Sequence, residues 1–106
     1  MVFSGVWAGD ANNVWAVGDM GQIGRWNGST WAFHKSGTKN KLVSVWASDA
    51  SDVWAVGDGG TILHFDGAAW SLAASGTAET LYTVWGSSKS DVWVAGDQSA
   101  ILVLRR

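Results

Sequence analysis

Short apolar runs, broken at regular intervals by Gly, Asp, Asn and Ser, set the rhythm of this chain. From Leu42 to Thr80 the runs are Leu42 to Ala47, Asp52 to Gly57, Thr61 to Phe65 and Ala69 to Ala73. The breaks are Ser48 to Ser51, Asp58 to Gly60, Asp66-Gly67 and Ser75 to Thr77. β-Branched and aromatic residues fill the runs and turn formers fill the breaks, which predicts strands. No segment has the apolar spacing or length of an amphipathic helix. Asn27-Gly28 and Asp66-Gly67 predict two-residue hairpin turns with positive φ at both residues. Proline is absent, so no strand is forced to a sheet edge by a missing N–H.

The pattern is periodic. Asn13 to Asp19 reads NVWAVGD, Asp52 to Asp58 reads DVWAVGD and Asp91 to Asp97 reads DVWVAGD; Trp15, Trp54 and Trp93 stand 39 residues apart, as do Trp7, Trp46 and Trp85. A register that does not drift marks a copied unit. The units are residues 3–41, 42–80 and 81–106, within one repeat domain spanning 1–106. The fold class is therefore all-β. Four short antiparallel strands per unit of about 40 residues describe a β-propeller blade. The first run of each unit is expected innermost, because it and the second are apolar on both faces. The fourth, near Lys35, Ser36, Ser71 and Ser75, suits the outer edge. The third unit has only three runs, giving eleven strands in about three blades, and Arg105 and Arg106 are expected to guard its open edge by charge.

The pattern Val-Trp-(Ala/Gly)-x₄-(Asp/Asn)-Val-Trp-Ala-Val-Gly-Asp-x-Gly-x-Ile-x-x-(Trp/Phe)-(Asn/Asp)-Gly-x-x-Trp resembles the tryptophan-rich propeller repeats of bacterial surface and secreted proteins. It is also distantly similar to the Asp-box repeats of sialidase-type propellers, although Asp66 and Gly67 are adjacent here and one residue apart in that motif. The resemblance covers essentially the whole chain and implies a binding or scaffold role.

Composition adds the driving force. With 47% apolar residues and nine tryptophans in 106 residues, the chain can build a core if it has surfaces to bury them against. Each buried tryptophan contributes at most roughly 5 kcal/mol, from ~200 Å² at ~25 cal/mol/Å². Closed propellers typically hold about four to eight blades, so three cannot close, and each end blade would expose a tryptophan-rich face. Two copies give six blades and three give nine. The expectation is a closed ring formed by homo-oligomerisation, with a dimer favoured over a trimer.

Charge narrows the partners. The net charge is −2 and the basic residues cluster only at Lys35, Lys39 and Lys41, so nucleic-acid binding is not expected. The chain has no cysteine and so no disulfide framework or thiolate chemistry. Met1 to Ser4 lacks the basic start and apolar run of a signal peptide, and no apolar stretch approaches the ~20 residues of a membrane span. Membrane insertion is not expected and the compartment stays open.

Candidate chemistry is sparse. Alternating strand directions put Asp19, Met20, Gln22, Asp58, Gly59, Asp97, Gln98, Lys39 to Lys41 and Glu79 on one face. Asp10, Asn12, Asn13, Asp49, Asp52, Lys89, Asp91 and the hairpins at Asn27 and Asp66 fall on the other. Asp19, Asp58 and Asp97 recur once per blade. A ring of carboxylates suits a Ca²⁺ ion, but turn chemistry explains a strict repeat better: each Asp would cap its own turn by accepting an N–H two residues on. No metal or cofactor is expected. His34 and His64 align with Ala73 and Arg25, have no carboxylate in reach by spacing, and read as solvent-facing strand residues.

A glycosidase needs two placed carboxylates, and Glu79 is the sole glutamate. Arg25, Arg105, Arg106 and Tyr82 do not fall in a matched register, and Gly57 to Gly60 is a turn rather than a phosphate loop. Catalysis is not expected. Trp26, Trp31 and Trp70 lie toward the outside of their blades and are the candidates for stacking a sugar, with inter-blade packing as the competing role. Trp7, Trp15, Trp46, Trp54, Trp85 and Trp93 are assigned to blade packing. The function that emerges is a non-enzymatic, self-assembling propeller module. The alternatives are a carbohydrate-binding lectin with repeated sites and a fragment of a larger surface or secreted propeller.

Overall fold

Strands too short to stand alone must pair and stack, and here they do so as three successive antiparallel sheets. The computed structural model describes residues 2–97 and 101–105. Gln98, Arg106 and the side chain of Arg105, to which roles are assigned above, lie outside the described residues. The first sheet is β1 (Phe3–Asp10), β2 (Asn13–Gly18), β3 (Ile23–Trp26) and β4 (Trp31–His34), hydrogen-bonded in that order. The second is β5 (Leu42–Asp49), β6 (Asp52–Gly57), β7 (Thr61–Phe65) and β8 (Trp70–Ala73). The third holds three strands, β9 (Leu81–Ser88), β10 (Asp91–Gly96) and β11 (Ile101–Arg105). β1 lies against β5 and β5 against β9, so the first strands of successive sheets stand side by side, as the inner strands of propeller blades do. No helix among the described residues is long and apolar enough to cross a membrane.

Two local expectations change. The first strand of the second sheet runs on to Asp49 through a register shift after Ala47, because Asp49 pairs with Asp52 across the turn and its Oδ1 accepts the Ser51 N–H at 2.7 Å. The Asn27-Gly28 and Asp66-Gly67 turns carry positive φ at the glycine alone, +99° and +102°. The Asn27 and Asp66 side chains explain this. Each accepts two N–H groups of its own loop, from Ser29 and Thr30 and from Ala68 and Ala69, which holds a four-residue loop rather than a two-residue turn.

Tight one-turn 3₁₀ segments, Asp19–Gly21 and Asp58–Gly60, follow β2 and β6. Beneath each passes the connection to the next sheet. Ser36 Oγ donates to Thr38 O at 3.1 Å and accepts the Thr38 N–H; Ser75 and Thr77 repeat the arrangement at 3.0 Å. Gly60 has φ +72°, and a Cβ there would overlap the Thr77 carbonyl oxygen. Glycine is therefore required both by φ and by the close approach.

The core is two joints between sheets rather than one central cluster. Trp15, Val17 and Ile23 of the first sheet meet Leu42, Val45, Ala47, Val53, Ala55, Leu63 and Phe65 of the second, with Trp7 and Trp70 packed alongside. Thirty-nine residues on, Trp54, Val56 and Ile62 meet Leu81, Val84, Val92 and Val94, with Trp46, Leu102 and Leu104 alongside. The second joint is the first one copied. β5 and β6 therefore present one side-chain set to the preceding sheet and the alternate set to the following one, which is why both their faces had to be apolar.

Candidate functional site

One position on β7 and its equivalents show how the copies diverge. On the face of the second sheet that meets the third, Asp52 is buried and accepts two bonds. Ser48 Oγ lies 2.5 Å from its Oδ2 and His64 Nε2 2.6 Å from its Oδ1. The His64 ring sits 4.2 Å from the Trp54 ring, at 37°. In the first sheet the same slot holds Arg25, whose Nη2 donates to Asn13 Oδ1 at 3.2 Å while its guanidinium lies 5.1 Å over Trp15. In the third sheet Asp91 takes bonds from Ser87 Oγ and Trp93 Nε1.

His64 is thus half-buried and hydrogen-bonded to Asp52, not the solvent-facing residue expected from its spacing. Asp52 is twelve positions away in the chain, but the β6–β7 pairing places both on one face beside Trp54. Ser48 is bonded to the Asp52 carboxylate.

His34 also departs from expectation. Its Nδ1 accepts the Trp70 Nε1–H across the first joint at 3.3 Å, and its ring stands edge-on to Trp15 at 5.2 Å. Burial first, and the nearby Arg25 charge second, hold its pKa below the usual histidine value. The neutral form is the one the fold holds, so the unfolded chain takes up the proton first. The contribution to stability is full above the ordinary value of ~6.5 and is lost as pH falls from there through the lowered folded pKa. Thermal unfolding followed by tryptophan fluorescence should show the melting temperature falling from pH 7 to pH 5. In His34→Phe that dependence should be visibly shallower. Hydrogen bonds from loop N–H groups lower the carboxyl pKa values of Asp10 and Asp66, so their windows lie below about 4 and do not overlap this one.

The repeated aspartates are held by their backbones. The Asp19 N–H donates to Val2 O at 3.0 Å, the Asp58 N–H to Lys41 O at 2.9 Å and the Asp97 N–H to Thr80 O at 2.9 Å, each tying the end of a second strand to the start of its own sheet. Side-chain caps of the kind expected at repeated turns are made by Asp10, Asp49, Asn27 and Asp66. Tyr82 bonds to the Asp97 carboxylate, which raises the phenol's pKa. Among the described residues no group of three His, Asp or Glu side chains could hold a metal ion.

The tryptophans divide by location. Trp15 and Trp54 are buried in the joints and Trp7 and Trp46 pack against them. Trp70, a candidate sugar platform, is taken up by the first joint, edge-on to Trp15 at 5.5 Å. Trp26 and Trp31 lie 5.7 Å apart, with Phe3 stacked on Trp31 at 6.3 Å. Trp85 is largely exposed on the third sheet and Trp93 beside it is partly buried.

A cleft of about 450 Å³ opens on the rim where β2 and β4 end. The turn carrying Met20, Gly21 and Gln22 forms one wall, and the segment from His34 to Lys39 forms the other. Lys35 and Lys39 are exposed there, and no lining residue is acidic. The lysine cluster was visible in the sequence, but the cleft was not: it needs the connection to cross beneath the turn at Gly21.

No family model and no curated protein matches this chain. Among solved structures it is similar to YCF48 from Cyanidioschyzon merolae, a β-propeller protein, with a TM-score of 0.82 over 97% of this chain at 20% identity. The likeness supports a propeller fold. This chain spans 37% of that one, little more than a third of its length.

Proposed function

We propose that this chain is a ring-forming propeller module with a structural or binding role, non-enzymatic, whose open faces are covered by a second copy of itself. The observation that carries the reading is that the two end faces present the joint positions. Val6 stands 39 residues before Val45, which is buried in the first joint, yet Val6 is 68% exposed. Phe3 and Trp31 likewise precede Leu42 and Trp70 and are exposed. At the other end, Ile101 follows the joint residues Ile23 and Ile62, and Trp85 follows Trp7 and Trp46; they are 66% and 58% exposed.

Complementary apolar faces of this kind favour association. A second chain related by a two-fold axis sets its leading face on the first chain's trailing face, and the reverse, so both gaps close together. The intramolecular joints supply the template for that contact. Trp31 would meet Trp93 of the partner copy as Trp70 meets Trp15 within the chain.

The test is assembly with and without one charge. In light scattering on a sizing column the parent chain is expected at twice its mass. Val6→Asp, at an exposed position, is expected to stay folded, with an unchanged β-sheet circular dichroism spectrum, but to elute as a monomer. A dimer that survives Val6→Asp would contradict the reading. The lectin alternative relies on Trp26 and Trp31; in a closed ring both are covered, so it would need another surface.

A further inference from the structure

We propose that the cleft between the Met20 turn and the His34–Lys39 segment binds a small anionic ligand, a carboxylate or a phosphate ester of about monosaccharide size. The site is built from one sheet alone, so the inference does not depend on ring closure.

The argument starts from where the repeat breaks. The scaffold of the cleft is kept between copies: Gly21, Ser36, Gly37 and Thr38 recur as Gly60, Ser75, Gly76 and Thr77. Its walls are not. Met20, Gln22, His34, Lys35 and Lys39 stand where the second unit has Gly59, Thr61, Ala73, Ala74 and Ala78. Five larger or more polar side chains replace small ones around a single cavity, while the turn that shapes it stays the same.

Their chemistry is of one sign. Lys35 and Lys39 bring two ammonium groups to a chain whose net charge is −2, with no carboxylate among the lining residues. Because His34 Nδ1 is occupied by the Trp70 N–H, the neutral ring carries its proton on Nε2 and is a further donor. Gly37, at φ +84°, has nothing near its Cα on the side a Cβ would occupy, so the backbone there is approachable. The buried Gln22 Oε1 has no hydrogen-bond partner among the described residues, so the polar end of this side chain is not satisfied there by the protein alone. Met20, exposed and at φ +59°, supplies an apolar edge. Donors around a partly apolar hollow of this size fit a small anion better than a neutral sugar or a cation. The cleft opens on the rim rather than on an end face, so it would stay accessible in an assembled ring.

The experiment is a nitrogen-15 NMR titration of the full chain with sodium glucuronate, glucose 6-phosphate and glucose. Expected are shifts of the Met20, Gln22, Lys35, Gly37 and Lys39 amides with at least one charged sugar and none with glucose. Glucuronate alone assigns a carboxylate, glucose 6-phosphate alone a phosphate ester, and both a general anion site. In the double variant Lys35→Ala/Lys39→Ala, whose side chains are exposed, affinity is expected to fall about tenfold or more, and added salt should weaken the parent similarly. Silence toward both anions, an equal response to glucose, or undiminished binding by the double variant would overturn the proposal.

Discussion

Replacing Asp52 with alanine is expected to lower the stability of the chain by about 3 kcal/mol, a large share of the roughly 5–15 kcal/mol that holds a domain of this kind together. The reason is its place in the second joint. Asp52 is 1% exposed and takes bonds from both Ser48 and His64. Removing the carboxylate strips that acceptor from two side chains held inside the packing, which costs more than the pair itself contributes. The third sheet shows a milder solution at the same register, with Val103 in the place of His64. Adding His64→Val to Asp52→Ala should therefore recover about 1 kcal/mol, because the half-buried histidine no longer seeks an acceptor. Chemical denaturation of the two variants against the parent measures both numbers. A double variant weaker than Asp52→Ala alone would sink this account of the node.

Trp15→Ala is expected to cost about 4 kcal/mol. The side chain is fully buried at the centre of the first joint, against Phe65, Trp70 and His34, with the Arg25 guanidinium over its ring. His34 and Trp70, two of its neighbours, are bonded to each other, which limits how far they can close the void. The informative comparison is Trp93→Ala, at the same register on the third sheet. In an isolated chain Trp93 has no following sheet to bury it, and its loss should cost clearly less. In a ring it should cost nearly as much, and the cost should shrink on dilution. Denaturation of both variants at two protein concentrations separates these cases.

Much of this architecture could be read from particular residues. Trp15, Trp54 and Trp93 gave the period, and the period gave the sheets. The apolar character of both faces of β5 and β6 announced a sheet sandwiched between neighbours. Turn detail was harder, because Asn27 and Asp66 satisfy loop N–H groups with their side chains, and dipeptide rules for two-residue turns do not include that competition. The histidines failed for a different reason. The partner of His64 is set by strand register and that of His34 by the contact between sheets, and neither is encoded in local spacing. The same holds for the cleft, whose two walls are separated in the chain and meet only because Gly21 lets Thr38 approach.

Native mass spectrometry of the unmodified chain tests the central claim most directly. The account predicts a dominant species at twice the chain mass of 11.2 kDa, persisting on dilution into the low micromolar range. A dominant single-chain species would contradict it, because the faces carrying Val6, Trp85 and Ile101 would then stand open to water.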